Sequence, residues 1–293
     1  MKKFSKILAL VLVLSMVVCF AACGDDASND GGNSDVAAST NVKVIEIDLT
    51  SEQYAFGVDK NQPELLAQTN AFIAEIMADG TFDDICNKYF GDGTPTAVYS
   101  AALDTSKDQL VVATNAEFAP FEYKEGDAFY GIDMEIASLL AEYLGLELVI
   151  NDMPFDSVCL SVGEHQCDIA MAGLTINEER ERSVTFTDSY YEASQRIIVM
   201  EDDTTFDACT SAAEVEAILN GYDNTTYIGY QNGTTGQYYV EGDADWDFPG
   251  FAVTGKGYAS GALAVQDLIN GQIDAVIIDA APADRIVENY NAK

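Results

Sequence analysis

The sequence predicts an α/β protein of two lobes, on three observations. From Leu110 onward, short apolar runs alternate with amphipathic stretches, as strands exchanging with helices do. Runs such as "DIAMAG" read as buried strands, which suits largely parallel sheets. The alternation also comes twice in series, giving two lobes whose ligand sites are expected at the carboxyl ends of the strands.

Taken in order, the chain opens with "MKKFSKILALVLVLSMVVCFAAC". Lys2, Lys3 and Lys6 precede an apolar run from Ile7 to Phe20 and small residues, the layout of a secretory signal over residues 1–22. It is too short and wrongly flanked for a membrane span. Ala21, Ala22 and Cys23 resemble the end of a bacterial lipoprotein signal, which makes Cys23 the lipid attachment site; an ordinary signal with an incidental cysteine is the alternative. Residues 23–41 are polar, rich in Gly, Ser, Asn and Asp, and read as a flexible tether.

Next come two strands, "VKVIEI" and "QYAFGV", and a helix, "QPELLAQTNAFIAEIMADG". Pro63 lies near its first turn, Leu65, Leu66, Phe72, Ile73 and Ile76 recur at helical spacing, and Gly80 ends it. A short helix, "TFDDICNKYFG", stops at Gly91. So small a unit buries too little surface to stand alone and needs something else to pack on. Residues 92–108 are a linker by composition. Beyond them, "LVVAT", "LELVI", "DIAMAG", "RIIVM", "TYIGY" and "DAVIID" are strands, and "GIDMEIASLLAEYLG", "FDSVCLSVG", "SAAEVEAILNG" and "GALAVQDLING" are helices, the first closed by Gly145.

Composition excludes several functions. The net charge is −35, and removal of a signal with three lysines and no acids takes it to about −38, which argues against nucleic acid. After that removal Cys86, Cys159, Cys167 and Cys209 remain, with no CxxC and a single histidine, His165, so neither a zinc site nor another metal or cofactor is expected. Their spacing is not a disulfide framework, and they read as buried free thiols. "GFAVTGKG" approaches a phosphate-binding loop but has Gly257 where the magnesium-binding hydroxyl belongs. His165 sits in a polar turn, where solvated histidines are usual, and no catalytic residues are assigned.

The polar motifs fall at strand ends. In "DIAMAGLTINEERERS" a strand ends before Gly173, Thr175 follows in a turn, and Asn177 opens a helix carrying Arg180. Backbone N–H groups, a hydroxyl and a guanidinium suit an anionic group, Arg pairing bidentately with a carboxylate; a solvated surface arginine is the plain alternative. "YIGYQNGTTG" brings Gln231, Thr234 and Thr235 to a glycine turn that could serve the same anion or be an ordinary loop. "AVIIDAAPA" ends a strand with Asp279, placed to hold an ammonium or to cap the next helix. Asn115, Phe118 and Phe155 also follow strands, and such aromatics are usually core.

Together, "LVVATNAEFAPFEY", "GIDMEIASLLAEYLGLEL", "AGLTINEERERSVTFTDSYY", "IGYQNGTTG" and "GALAVQDLINGQIDAVIID" resemble the family 3 extracellular solute-binding proteins, the polar amino-acid receptors of ABC importers. The resemblance runs from Gln109 to Lys293. It implies the periplasmic-binding-protein type II fold: two α/β lobes with a ligand cleft and two crossing hinge strands. What the family normally carries at its end stands here at the front, Val42 to Gly91, so the chain resembles a circular permutant. Residues 42–48 would be the last strand of lobe two, 49–91 the C-terminal part of lobe one, 92–108 the bridge between old end and old start, 109–190 the N-terminal part of lobe one and 191–293 lobe two. A tandem-copy remnant and a domain swap are the rival accounts.

The resemblance further implies a substrate-binding lipoprotein, not an enzyme, held on the outer face of the bacterial cytoplasmic membrane. It would deliver an α-amino acid to an ABC permease and its ATPase subunits as a monomer. Arg180 would clamp the α-carboxylate with Thr175, Thr234 and Thr235; Asp279 and the Gly173 carbonyl would hold the α-ammonium. Phe118 and Phe155 would flank the side chain, and Asn115 and Gln231 would read its polar end. An enzyme resembling cyclohexadienyl dehydratase, or a ligand-sensing module, would share the fold.

Overall fold

The computed structural model describes residues 40–245 and 247–292, so Cys23, the signal and nearly all of the tether lie outside the described residues. The opening segment threads through both lobes. β1 (Val42–Ile45) belongs to the second, β2 (Glu52–Tyr54) crosses over, and β3 (Gly57–Asp59) enters the first. "QYAFGV" therefore holds two strands, broken at Ala55 and Phe56. Its first part pairs with the other crossing strand, while its second joins the lobe-one sheet.

α1 (Pro63–Asp79) and α2 (Thr81–Phe90) follow, joined at Gly80, whose φ of 89° only glycine adopts without strain. Leu65, Phe72, Ile73 and Ile76 form the buried stripe of α1, and they share one apolar cluster with Leu110, Val112, Ile136, Leu140 and Ile169. Residues 91–108 are not loose. Val98 exchanges two backbone hydrogen bonds with Phe129 at 2.8 Å, Ala101 N–H donates to Leu148 O at 2.9 Å, and Thr96 N–H donates to Glu135 Oε1 at 2.9 Å.

The remainder of lobe one comprises β4 (Gln109–Thr114), β5 (Glu117–Phe118), β6 (Glu122–Glu125), β7 (Ala128–Tyr130), α3 (Ile132–Leu144), β8 (Glu147–Asp152), α4 (Phe155–Gly163), β9 (Ile169–Ala170), α5 (Glu178–Glu181) and β10 (Val184–Phe186). β11 (Tyr191–Ala193) is the second crossing. Lobe two continues with β12 (Gln195–Met200), α6 (Ala212–Leu219), β13 (Tyr227–Gln231), α7 (Thr235–Glu241), β14 (Thr254–Tyr258), α8 (Gly261–Ile269), β15 (Ala275–Asp279) and α9 (Ala280–Asn291).

The two main sheets obey one rule. In the order β10-β3-β9-β4-β8, only β3 runs against the rest; in the order β1-β12-β15-β13-β14, only β12 does. Each reversed strand is the one that enters directly from a crossing, β3 from β2 and β12 from β11. The expected largely parallel sheets thus hold for the other four strands in each, whose carboxyl ends carry the site. The two crossings pair with each other antiparallel, Tyr54 opposite Tyr191. The chain's last helix meets its first strand: Asn291 Nδ2 donates to Val42 O at 2.8 Å, and Val42 N–H donates to Asn291 Oδ1 at 3.1 Å.

Candidate ligand-binding site

Where β9 ends, the chain turns through Gly173, whose φ of 53° is left-handed. A Cβ there would meet Phe118 Cε1 at 2.9 Å, so both the backbone and the ring packed against it require glycine. Gly173 N–H donates to Asp133 Oδ2 at 2.9 Å and Tyr190 Oη donates to Asp133 Oδ1 at 2.7 Å. Burial pushes the Asp133 carboxyl up to about 7 against the pull of these two bonds.

The loop then delivers Arg180. Asn177 caps α5 by accepting from Arg180 N–H at 2.8 Å, which fixes the direction in which the side chain leaves. Arg180 is only 7% exposed, so the alternative of a solvated surface arginine does not hold. Its Nη1 donates to Thr175 O at 2.7 Å and its Nη2 reaches lobe two, donating to Gly233 O at 3.1 Å. The guanidinium lies over the Phe155 ring, 5.2 Å from its centroid. These acceptors are neutral carbonyls, and among the described residues no carboxylate pairs with this permanent charge.

On the facing lobe, Gln231 at the end of β13 donates from Nε2 to Asn115 Oδ1 at 2.9 Å, tying the strand ends of the two lobes together. Asn115 Nδ2 in turn donates to Met153 O at 2.9 Å. Thr234 donates its hydroxyl to Gln231 O at 2.8 Å, whereas the buried Thr235 Oγ1 and Gln231 Oε1 have no partner among the described residues.

Asp279 is 3% exposed at the end of β15 and makes no side-chain cap to α9, so the capping alternative fails. Its Oδ1 accepts from Tyr54 Oη at 2.5 Å. Burial, then the charge of Glu52, pushes its carboxyl up to about 7, with bonds from Tyr54 and Gln195 opposing. No cation stands among these partners. The site thus holds a buried guanidinium lacking an anion and a buried carboxyl lacking a cation, one from each lobe.

Next to Phe155 opens a chamber of about 340 Å³, whose walls include Asn115, Glu117, Asp152, Asp156 and Asn232 but no lysine, arginine or histidine. Sequence reading weighed Glu117 only as an extra cleft acid and missed Asp152 and Asp156, which stand at the end of β8 and in the first turn of α4. It also missed Glu52, Tyr54 and Gln195. The available signal was slight: Glu52 and Tyr54, two apart in an extended stretch, share one face.

The fold and this site define a protein of two α/β lobes with a ligand cleft between them. The sequence model for bacterial extracellular solute-binding proteins, family 3, matches residues 5–92 and 110–290, and the chain belongs to that family. It is 38% identical over 103 residues to the arginine-binding extracellular protein ArtP of Bacillus subtilis (strain 168), covering 35% of this chain and 40% of that one. It is 30% identical over 176 residues to an arginine-binding periplasmic protein of Mannheimia haemolytica, covering 60% and 65%. The aligned part thus spans less than two thirds of either relative. Among solved structures, holo ArgBP from T. maritima superposes with a TM-score of 0.53 at 32% identity, covering 65% of this chain and 78% of that one.

Proposed function

We propose that the chain is an extracellular receptor that traps an α-amino acid between its lobes and hands it to an ABC permease and its ATPase subunits. One observation carries this reading: Arg180 and Asp279 are buried on opposite lobes, each without a counter-charge. A buried unpaired charge costs several kcal/mol, and a zwitterion supplies both missing partners at once. Its carboxylate takes Arg180 and the unpartnered Thr235 hydroxyl. Its ammonium takes Asp279, the Gly173 carbonyl and Thr175.

Thr175 then serves the ammonium and not the carboxylate. Its single proton already goes to Glu52 Oε2 at 2.7 Å, leaving lone pairs for the ligand. Phe118 and Phe155 flank the ligand, with Asn115 and Gln231 at the side-chain end. The acids of the chamber suit a side chain ending in a cation, and the relatives named for arginine support that class. The relatives are named for binding, which favours binding over catalysis, and Cys23 anchors the protein through lipid to the outer face of the cytoplasmic membrane.

We also infer that the chain is a circular permutant of its family, acting as a monomer. The separate matches to residues 5–92 and 110–290, the pairing of β1 with β12 and the junction of Asn291 with Val42 support this. A reordered chain, 109–293 followed by 42–91, should bind as the original does.

The test of the receptor reading is a thermal-shift panel of amino acids at pH 8. A ligand at 100 times its dissociation constant adds about 2.7 kcal/mol of stability. The des-amino and decarboxylated analogues of the best ligand should give no shift, and a panel with no responding amino acid would refute the reading.

A further inference from the structure

Glu52 touches both halves of the site. It lies on the crossing strand β2, is 6% exposed, and collects donors from each side. Thr175 of lobe one donates from Oγ1 to Oε2 at 2.7 Å, and Gln195 of lobe two donates from Nε2 to Oε1 at 3.1 Å. Thr50 Oγ1 also donates to Oε1, and accepts from Gln195 N–H at 2.9 Å, so the hinge holds the carboxylate from behind. Gln195 stands opposite Asp279 in the β12–β15 register, and its side-chain amide reaches the Asp279 carboxyl as well.

We propose that Glu52 is the positioning residue of the ammonium pocket: one hinge carboxylate that orients Thr175 directly and Asp279 through Gln195, bringing the acceptors of the two lobes into register. This rests on the zwitterion reading above. Taking the Thr175 proton turns that hydroxyl into an acceptor, as an ammonium requires. Holding Gln195 fixes the donor that orients Asp279. Because Thr175 and Asp279 belong to different lobes, their common partner on a crossing strand makes the pocket complete only when the lobes are closed.

Glu52 also leaves an electrostatic mark that a purely structural residue would not. The groups facing Asp279 are Tyr54 and Glu52 from β2, Gln195 from β12 and Glu122 from β6, whose own carboxyl is raised well above its usual range by burial and then by Asp133 and Asp279. Burial and the Glu52 charge raise Asp279 to about 7. The ammonium needs the ionised form, so affinity should be full above that pH and fall about tenfold per unit below it. Removing the Glu52 charge lowers the Asp279 pKa and moves the fall to lower pH.

The experiment is calorimetric titration of the wild type and Glu52→Gln with L-arginine, and with L-glutamine as a second probe, from pH 5 to 9. The wild type should release about one proton on binding near pH 6, read from buffers of different ionisation enthalpy. At pH 8 Glu52→Gln should bind roughly tenfold more weakly, in line with a lost buried charged hydrogen bond, with its pH fall-off moved down. Should that variant not fold, Glu52→Asp takes its place: the shorter carboxylate keeps the charge but draws back from Thr175 and Gln195, and it should also weaken binding at pH 8. Equal affinity at pH 8 in the variant that folds overturns the proposal while leaving the receptor reading intact. Failure of the wild type to bind any amino acid of the panel at pH 8 overturns both.

Discussion

The two ends of the cleft solve opposite problems with different chemistry. On lobe one, Arg180 carries a permanent charge, and its guanidinium bonds to two carbonyl oxygens and lies over the face of Phe155. On lobe two, Asp279 titrates near 7, because burial and a neighbouring carboxylate both oppose its ionisation. One end of the pocket is therefore permanently set, while the other is conditional. A ligand that needs both ends inherits the pH dependence of the conditional one alone.

The largest effect should come from breaking the permanent end. Arg180→Ala should weaken binding at least ~100-fold, as for one partner of a buried pair, with the circular-dichroism spectrum unchanged. Asp279→Asn should cost about as much at pH 8 but flatten the dependence below 7, an asymmetry that the same titration series from pH 5 to 9 reads directly. In the intact protein, moving from pH 8 to pH 6 should weaken binding by about tenfold and reversibly, because Asp279 is ionised above about 7 and protonated below it. Arg182→Ala removes an exposed ion pair to Asp245 across the cleft mouth at 3.0 Å, and calorimetry should find affinity changed by less than about threefold.

The same contrast separates what the sequence disclosed from what it hid. Arg180, Thr235 and Asp279 were legible because each is placed by its own neighbourhood, a buried strand, a turn, then a helix start, whereas the Thr234 hydroxyl is spent on Gln231 O. "DIAMAGLTINEERERS" carries the strand end, the glycine and the capping asparagine within a few residues, and the structure uses all three. Phe118 and Phe155 were legible for the same reason.

Glu52 and Gln195 were not, since their meaning depends on a hydrogen bond between strands brought together by the crossings. The split of "QYAFGV" was equally hidden, because each half answers to a different distant partner. The β5–β7 meander was missed because its strands are short, two residues in β5 and three in β7, and half of β6 is exposed. The chamber acids, Glu117, Asp152 and Asp156, come from β5, the end of β8 and the first turn of α4, and only the folded lobe brings them together.

The junction of Asn291 with Val42 has a mechanical consequence. The Asn291 amide offers the β1 backbone a donor and an acceptor together, as a neighbouring peptide would, so α9 and β1 are fastened to each other. A load arriving from the residues ahead of Val42 enters that clamp and the β1–β12 ladder before it reaches either crossing. Were the chain held through Cys23, as proposed above, lobe two would be the fixed jaw, and lobe one, joined to it by β2 and β11, the jaw left free to swing.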